Sequence, residues 1–260
     1  MINLRSIKVQ MNLFFAAFAV FLFLKEPRFA LLAGFFWAIL FSVLIETSFL
    51  LLKTRKLQIT DSALTSGFII GYVLAAESPW WMFLAATALA VGLKHLLRFR
   101  GKNLMNPAAL GIFLTVLLLK GTTEWKGAYE WYILIPAGLY IINKIKKTAI
   151  VWGYFVTSLA LFIPQALAQH APLSGIAGYF NYFFIFIMLI EPKTTPASRG
   201  PKIVFGAGVA LLVFFLTERS FRYEPELFAL LVLNLSVPFL NKIQNFKLNT
   251  PQKIPGKESL

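Results

Sequence analysis

The sequence predicts an all-α membrane protein of about ten transmembrane helices, arranged as a 5+5 inverted repeat with N-terminus and C-terminus both inside (N-in, C-in). Three observations predict it. The first is composition: of 260 residues, 58% are hydrophobic and 14% charged, with a mean hydropathy of +0.71, whereas a soluble domain carries about 25% charged residues. The second is a series of ten apolar runs near the length a span needs, about 20 residues or fewer where flanking groups snorkel. The third is the placement of positive charge. With the N-terminus inside, 19 of the 25 Lys and Arg fall on the cytoplasmic side. The outer side receives 6, namely Lys25, Arg28, Lys120, Lys126, Arg219 and Arg222, which is the bias the positive-inside rule selects.

The runs are Met11–Leu24, Phe29–Leu52, Thr60–Ala76, Trp80–Leu93, Pro107–Leu119, Tyr129–Asn143, Thr148–Ala168, Ile176–Ile190, Ile203–Thr217 and Glu226–Leu240. The first is followed by Lys25-Glu26-Pro27-Arg28 and not by a small-residue cleavage site, so it reads as a span and not as a removed signal. Ten spans divide into five and five. An odd number per half inverts the second half relative to the first, an arrangement that commonly forms a site at mid-membrane. One transmembrane domain is expected, with repeats at about 1–120 and 121–245 and a polar cytoplasmic tail at 246–260. Trp80, Trp81, Trp125 and Trp131 fall at outer boundaries, where aromatic anchors collect.

Several chemistries are excluded. There is no cysteine, which removes disulfides and thiolate-held iron–sulfur clusters. The two histidines, His95 and His170, fall on opposite sides of the predicted membrane, so no metal site is expected. The net charge of +14 is spent on topology and is not read as a nucleic-acid signal.

The most informative stretch is KHLLRFRGKNLMNPAALGIF, Lys94 to Phe113. Basic residues and a glycine lead into an Asn-x-x-Asn-Pro turn, after which a new apolar helix begins. Polar amides and free backbone groups at the mouth of a span are costly unless they bind something or each other. A second irregular segment, Glu191-Pro192-Lys193-Thr194-Thr195-Pro196, follows an apolar run directly. Its prolines prevent a regular helix, and irregular backbone beside the bilayer must line a cavity or be solvated.

These segments resemble the membrane subunits NqrB, of the sodium-pumping NADH:quinone reductase, and RnfD, of the Rnf ferredoxin:NAD oxidoreductase. TDSALTSGFIIGYVLAAESPWW, Thr60 to Trp81, resembles the family's Ser-Gly-containing span and the Pro-Trp turn after it. KHLLRFRGKNLMNPAALGIF resembles its lysine-led loop ending in Asn-Pro-Ala. FIMLIEPKTTPASRGPKIVFGAGVALL, Phe186 to Leu212, resembles its Asp-Pro-x-Thr-Ser-Pro turn and the span behind it. LLVLNLSVPFLNKI, Leu230 to Ile243, also fits. The resemblance implies a ten-helix inverted repeat similar to that of urea transporters, a bacterial or archaeal cytoplasmic membrane, and flavins that carry electrons across it. It implies other electron-transfer subunits or a flavoprotein donor as partners, and quinone as a candidate acceptor. The family also carries an FMN esterified to threonine in a Ser/Thr-Gly-Ala-Thr motif. No such motif occurs here: the corresponding outer loop reads KGTTEWKGA, Lys120 to Ala128. Covalent FMN is therefore not expected, and any flavin, riboflavin or FMN, is expected to be non-covalent.

Each candidate residue has a structural reading beside the functional one. Asn103 and Asn106 offer donors and an acceptor suited to the uracil-like edge of an isoalloxazine; Asn106 equally reads as the cap of a helix starting at Pro107. Lys94, Arg98, Arg100 and Lys102 suit a flavin phosphate or an acidic donor protein, or simply set topology. Thr65, Ser66 and Gly67 form a small polar patch that flanks a ring or lets helices approach. Glu191, Thr194 and Thr195 present hydrogen-bonding groups to a ligand from the second turn. Glu46, Asp61 and His95 are the ion or proton candidates. Against that, Asp61 suits a helix N-terminus, Glu46 can snorkel to the cytoplasmic face, and His95 can pack at the interface beside Lys94. The expected function is a flavin-binding subunit for transmembrane electron transfer. The alternatives are a channel or transporter for a small planar solute, riboflavin included, and a non-redox scaffold subunit.

Overall fold

The structure is a computed structural model that describes residues 6–99, 101–170 and 172–249. Among them it is built almost wholly of helix. In chain order the helices are α1 (Ile7–Lys25), α2 (Phe29–Thr54), α3 (Asp61–Val73), α4 (Trp80–Leu96), α5 (Pro107–Leu119), α6 (Trp131–Lys144), α7 (Thr148–Ala168), α8 (Arg199–Glu218) and α9 (Pro225–Asn249). A two-stranded antiparallel hairpin, β1 (Arg98–Phe99) and β2 (Lys102–Asn103), joins α4 to α5. Four helices, α1, α2, α7 and α8, are long and apolar enough to cross a bilayer; α4 and α5 are shorter apolar helices. The molecule is an all-α membrane protein.

Local chemistry sets the boundaries. Thr60 caps α3, its hydroxyl accepting from the Ala63 N–H at 3.2 Å. Asn106 caps α5 in the same way through Ala109, with Pro107 as first helical residue, where its missing N–H costs nothing. Pro79 and Pro225 stand at the starts of α4 and α9. The loop 120–130 folds back over the end of α3. Lys126, buried, donates to the carbonyls of Gly71 and Leu74 and so satisfies acceptors that a helix C-terminus leaves open.

The expected eighth span, Ile176–Ile190, is not a regular helix. Residues 173–179 form a 3-10 turn, the backbone is extended at Phe180, and a short helical segment follows at 182–188, π-wound from Phe184 to Met188. Asn181 starts this segment by accepting from the Phe184 N–H at 2.9 Å. At helical rise its length is about 10 Å, a third of a hydrocarbon core of about 30 Å. The run is apolar for another reason: every residue from Phe180 to Ile190 is buried inside the protein. Broken backbone is tolerated at membrane depth only where protein covers it. The expected third span is likewise shorter than Thr60–Ala76, because α3 stops at Val73 and Leu74 is extended.

The contacts recur between the two halves. α3 packs on α1 and α2, α2 on α4, and α4 on α5; the segment 184–188 packs on α6 and α7, α7 on α8, and α8 on α9. Between halves, α1 meets α6 and α5 meets α9. The centre is filled by aromatic rings. Tyr72 is fully buried, with ring centroids 4.7 Å from Phe35 and 4.9 Å from Phe183, and its hydroxyl donates to the Phe15 carbonyl.

Candidate functional site

The two irregular turns come together, and one side chain of α9 joins them. Asn234, completely buried, accepts from the Asn106 backbone N–H at 2.9 Å and donates to the Thr194 carbonyl at 3.1 Å. The Asn106 amide in turn donates to the Met188 carbonyl at 3.4 Å. A buried primary amide carries both donor and acceptor, so Asn234 satisfies one backbone group from each turn. Sequence reasoning missed it. The available signal was a lone Asn in the apolar run LLVLNLSVPF, since a polar side chain in a span is costly unless paired.

Beside this junction lies a cleft of about 310 Å³. Its apolar walls come from Met11 of α1, Ile69 of α3, Ile145, and Ile187 and Ile190 of the broken segment. Its polar groups are Ser62, Thr65 and Ser66 of α3, Asn106, and Glu191. Lys8 and Lys193 stand at its rim, exposed. Apolar walls with a few convergent polar groups are the usual make-up of a small-molecule site, and the volume lies at the lower end of the roughly 300–1,000 Å³ range of such sites. Burial pushes the Glu191 carboxyl up to about 7, against the pull of the Lys193 and Lys94 ammonium groups.

Of the expected ligand residues, Thr65, Ser66, Asn106 and Glu191 line the cleft. The others do not. Gly67 faces α2, where a Cβ would come within 2.8 Å of the Ile39 Cα; it is a packing glycine. Thr194 and Thr195 are buried in the second turn, the Thr195 hydroxyl donating to the Glu191 carbonyl at 2.7 Å and accepting from Lys147 Nζ at 2.6 Å. Asn103 is buried in the hairpin, paired in register with Arg98. Arg100 lies outside the described residues. Thr65 is also a structural link, its hydroxyl 2.8 Å from both Asn12 Oδ1 and the Asp61 carbonyl.

Lys94 is not a free cation at the surface. Its ammonium group donates to Glu46 Oε1 at 2.6 Å and to Ser62 Oγ at 3.2 Å, and both charged side chains are about 5% exposed. A partner within reach on α4 thus holds the Glu46 carboxylate inside the protein. His95 Nε2 lies 3.6 Å from Glu46 Oε2, and the imidazole stacks on Phe49 with centroids 3.8 Å apart. This cluster, with Asp61 and Arg98, borders a second opening of about 380 Å³ that shares Lys8, Ser62 and Lys193 with the cleft. Among the described residues no group of three His, Asp or Glu is placed to hold a metal ion.

Fold and site together define a multi-pass membrane protein with a ligand-sized cleft between two broken turns. The chain belongs to the NQR2, RnfD, RnfE family, whose model matches residues 3–130 and 127–248. It is similar to a Klebsiella pneumoniae (strain 342) protein named as a subunit of an ion-translocating oxidoreductase complex, at 29% identity over 281 residues, covering 74% of this chain and 80% of the relative. The identically named protein of Pseudomonas aeruginosa (strain LESB58) is 22% identical over 276 residues, covering 79% of this chain and 80% of the relative.

Proposed function

We propose that this chain is the membrane subunit of an ion-translocating oxidoreductase complex, and that it holds a flavin non-covalently in the cleft and passes electrons through it. The observation that carries the reading is the cleft itself. Apolar walls of Met11, Ile69, Ile145, Ile187 and Ile190 suit the faces of a flat ring, while Ser66, Asn106 and Glu191 suit its polar edge. The volume fits the isoalloxazine ring and leaves the tail to the rim at Lys8 and Lys193. The flavin would supply the redox chemistry and the protein its position and local charge. The names of the relatives, each a subunit of a complex, support further subunits as partners; the redox reading adds to these a flavoprotein donor and a quinone or outer acceptor.

The contact pattern and the charge bias support a 5+5 inverted repeat of the urea-transporter kind, with both ends in the cytoplasm of a bacterial cell. The rings of Phe15, Phe35, Tyr72 and Phe183 fill the middle of the molecule. A solute channel would have to open that packing, whereas electron transfer needs no open path; this favours the redox reading. Covalent attachment in the outer loop has no support, since the Thr123 hydroxyl donates to Glu224 and no Ser/Thr-Gly-Ala-Thr motif surrounds it.

The test is the colour of the purified protein. Visible flavin absorbance that bleaches on reduction, and is released by acid precipitation, is the expected result. A flavin-free preparation from cells supplied with riboflavin would overturn the proposal.

A further inference from the structure

A second feature shares no residue with the cleft. Where α7 and α8 begin, a groove of about 530 Å³ opens between them, lined by Lys146, Thr148, Trp152, Arg199, Lys202 and Ile203 among others. Helix packing makes the groove. One turn further along, Gly153 meets the Ile203 carbonyl and Gly206 meets the Ile150 carbonyl, so closely that a Cβ at either glycine would overlap backbone. Helices in contact at one level diverge away from it by their crossing angle, and the gap opens at their starts.

The groove is lined by both basic and apolar side chains. No carboxylate lines it, and none of the ion pairs among the described residues involves Lys146, Arg199 or Lys202. Lys202 Nζ donates to the Lys146 carbonyl at 2.7 Å, which ties the turn to α8 and keeps the cations together. Trp152 is 64% exposed, and Ile203, which also lines the groove, and the next residue Val204 are exposed too. These apolar groups stand on α7 and α8, both long and apolar enough to cross a bilayer.

We infer that this groove is the headgroup site of an anionic phospholipid in the leaflet it faces, with the phosphate among Lys146, Arg199 and Lys202 and an acyl chain along Trp152, Ile203 and Val204. Basic pockets between transmembrane helices are suited to such headgroups, and an exposed Trp at a span end marks the interface level. An acidic soluble protein or free phosphate would match the cations but leave the tryptophan and the branched side chains beyond it unexplained.

The experiment uses the full chain in vesicles of phosphatidylcholine containing a small fraction of acyl-brominated phosphatidylglycerol, or of acyl-brominated phosphatidylcholine as control. The readout is the bromine quenching of Trp152, taken as wild type minus Trp152→Phe. Expected is stronger quenching by the anionic lipid, with the preference falling about fivefold for each charge removed in Lys146→Gln, Arg199→Gln and Lys202→Gln. Equal quenching of the wild type by the two lipids overturns the proposal, whatever the variants do. So does loss of the preference on adding soluble glycerol phosphate at constant ionic strength, which would assign the groove to a free anion.

Discussion

Asn234 and Asn106 are 128 residues apart and hydrogen-bonded at 2.9 Å in a fully buried setting. The second half of the Asn234 amide holds Thr194, so one side chain fixes the distance between the turns that flank the cleft. Asn234→Leu leaves the Asn106 N–H and the Thr194 carbonyl without partners. The expected loss is about 1–3 kcal/mol of stability, with flavin lost from the preparation. Thermal unfolding in detergent and flavin content per chain check both; an unchanged midpoint with full flavin would show that the turns hold without the amide.

Glu46 and Lys94 form a buried pair at 2.6 Å. Removing one partner strands a charge, and about 3–5 kcal/mol is expected from either Glu46→Leu or Lys94→Met alone. The double variant should recover most of that loss, since apolar replacement of a buried pair is often close to neutral. A double-mutant cycle on the unfolding midpoints measures it, and additive losses would show that the two side chains do not act as a pair.

Ser66→Trp places a large ring in the cleft. Ser66 is on the cleft wall and makes none of the contacts between turns. Flavin binding should fall at least about tenfold, the equivalent of about 1.4 kcal/mol, with the unfolding midpoint of the flavin-free protein little changed. Retained flavin would move the binding site elsewhere.

Glu191 adds a pH dependence. Burial raises its carboxyl from the ordinary 4.5 to about 7, so in that window the folded chain binds more protons than the unfolded one. Stability should therefore fall as pH rises from about 4.5 to about 7 and level off above. Melting curves across this range should show the slope in the wild type and a reduced slope in Glu191→Gln. An equal slope in both would assign the dependence to other groups.

Much of the architecture was legible in the chain because burial in lipid leaves a local record. Long apolar helices such as α2 and α7, the Pro107 and Thr60 starts, and the Asn106 cap all follow from side chains near in sequence. The run 176–190 reads as a regular spanning helix only because hydropathy does not distinguish a side chain facing lipid from one facing protein; both favour Phe and Ile. For the cleft, Asn106 and Glu191 were signalled by turns that had to be doing something with their polar groups. Asn234, Asn12 and the Glu46–Lys94 pairing were not, because each depends on a partner about 48 residues away or more.

The sequence by itself determined that this protein lives in a membrane, where most helices begin, and which two segments break the regular pattern; these follow from local propensity and from the cost of exposing polar groups to hydrocarbon. Only the tertiary structure decided that the two broken segments meet, which four of the candidate residues face the cleft, and that Lys94 answers Glu46. Those outcomes depend on which elements pack together, and no residue's own chemistry states its distant neighbour.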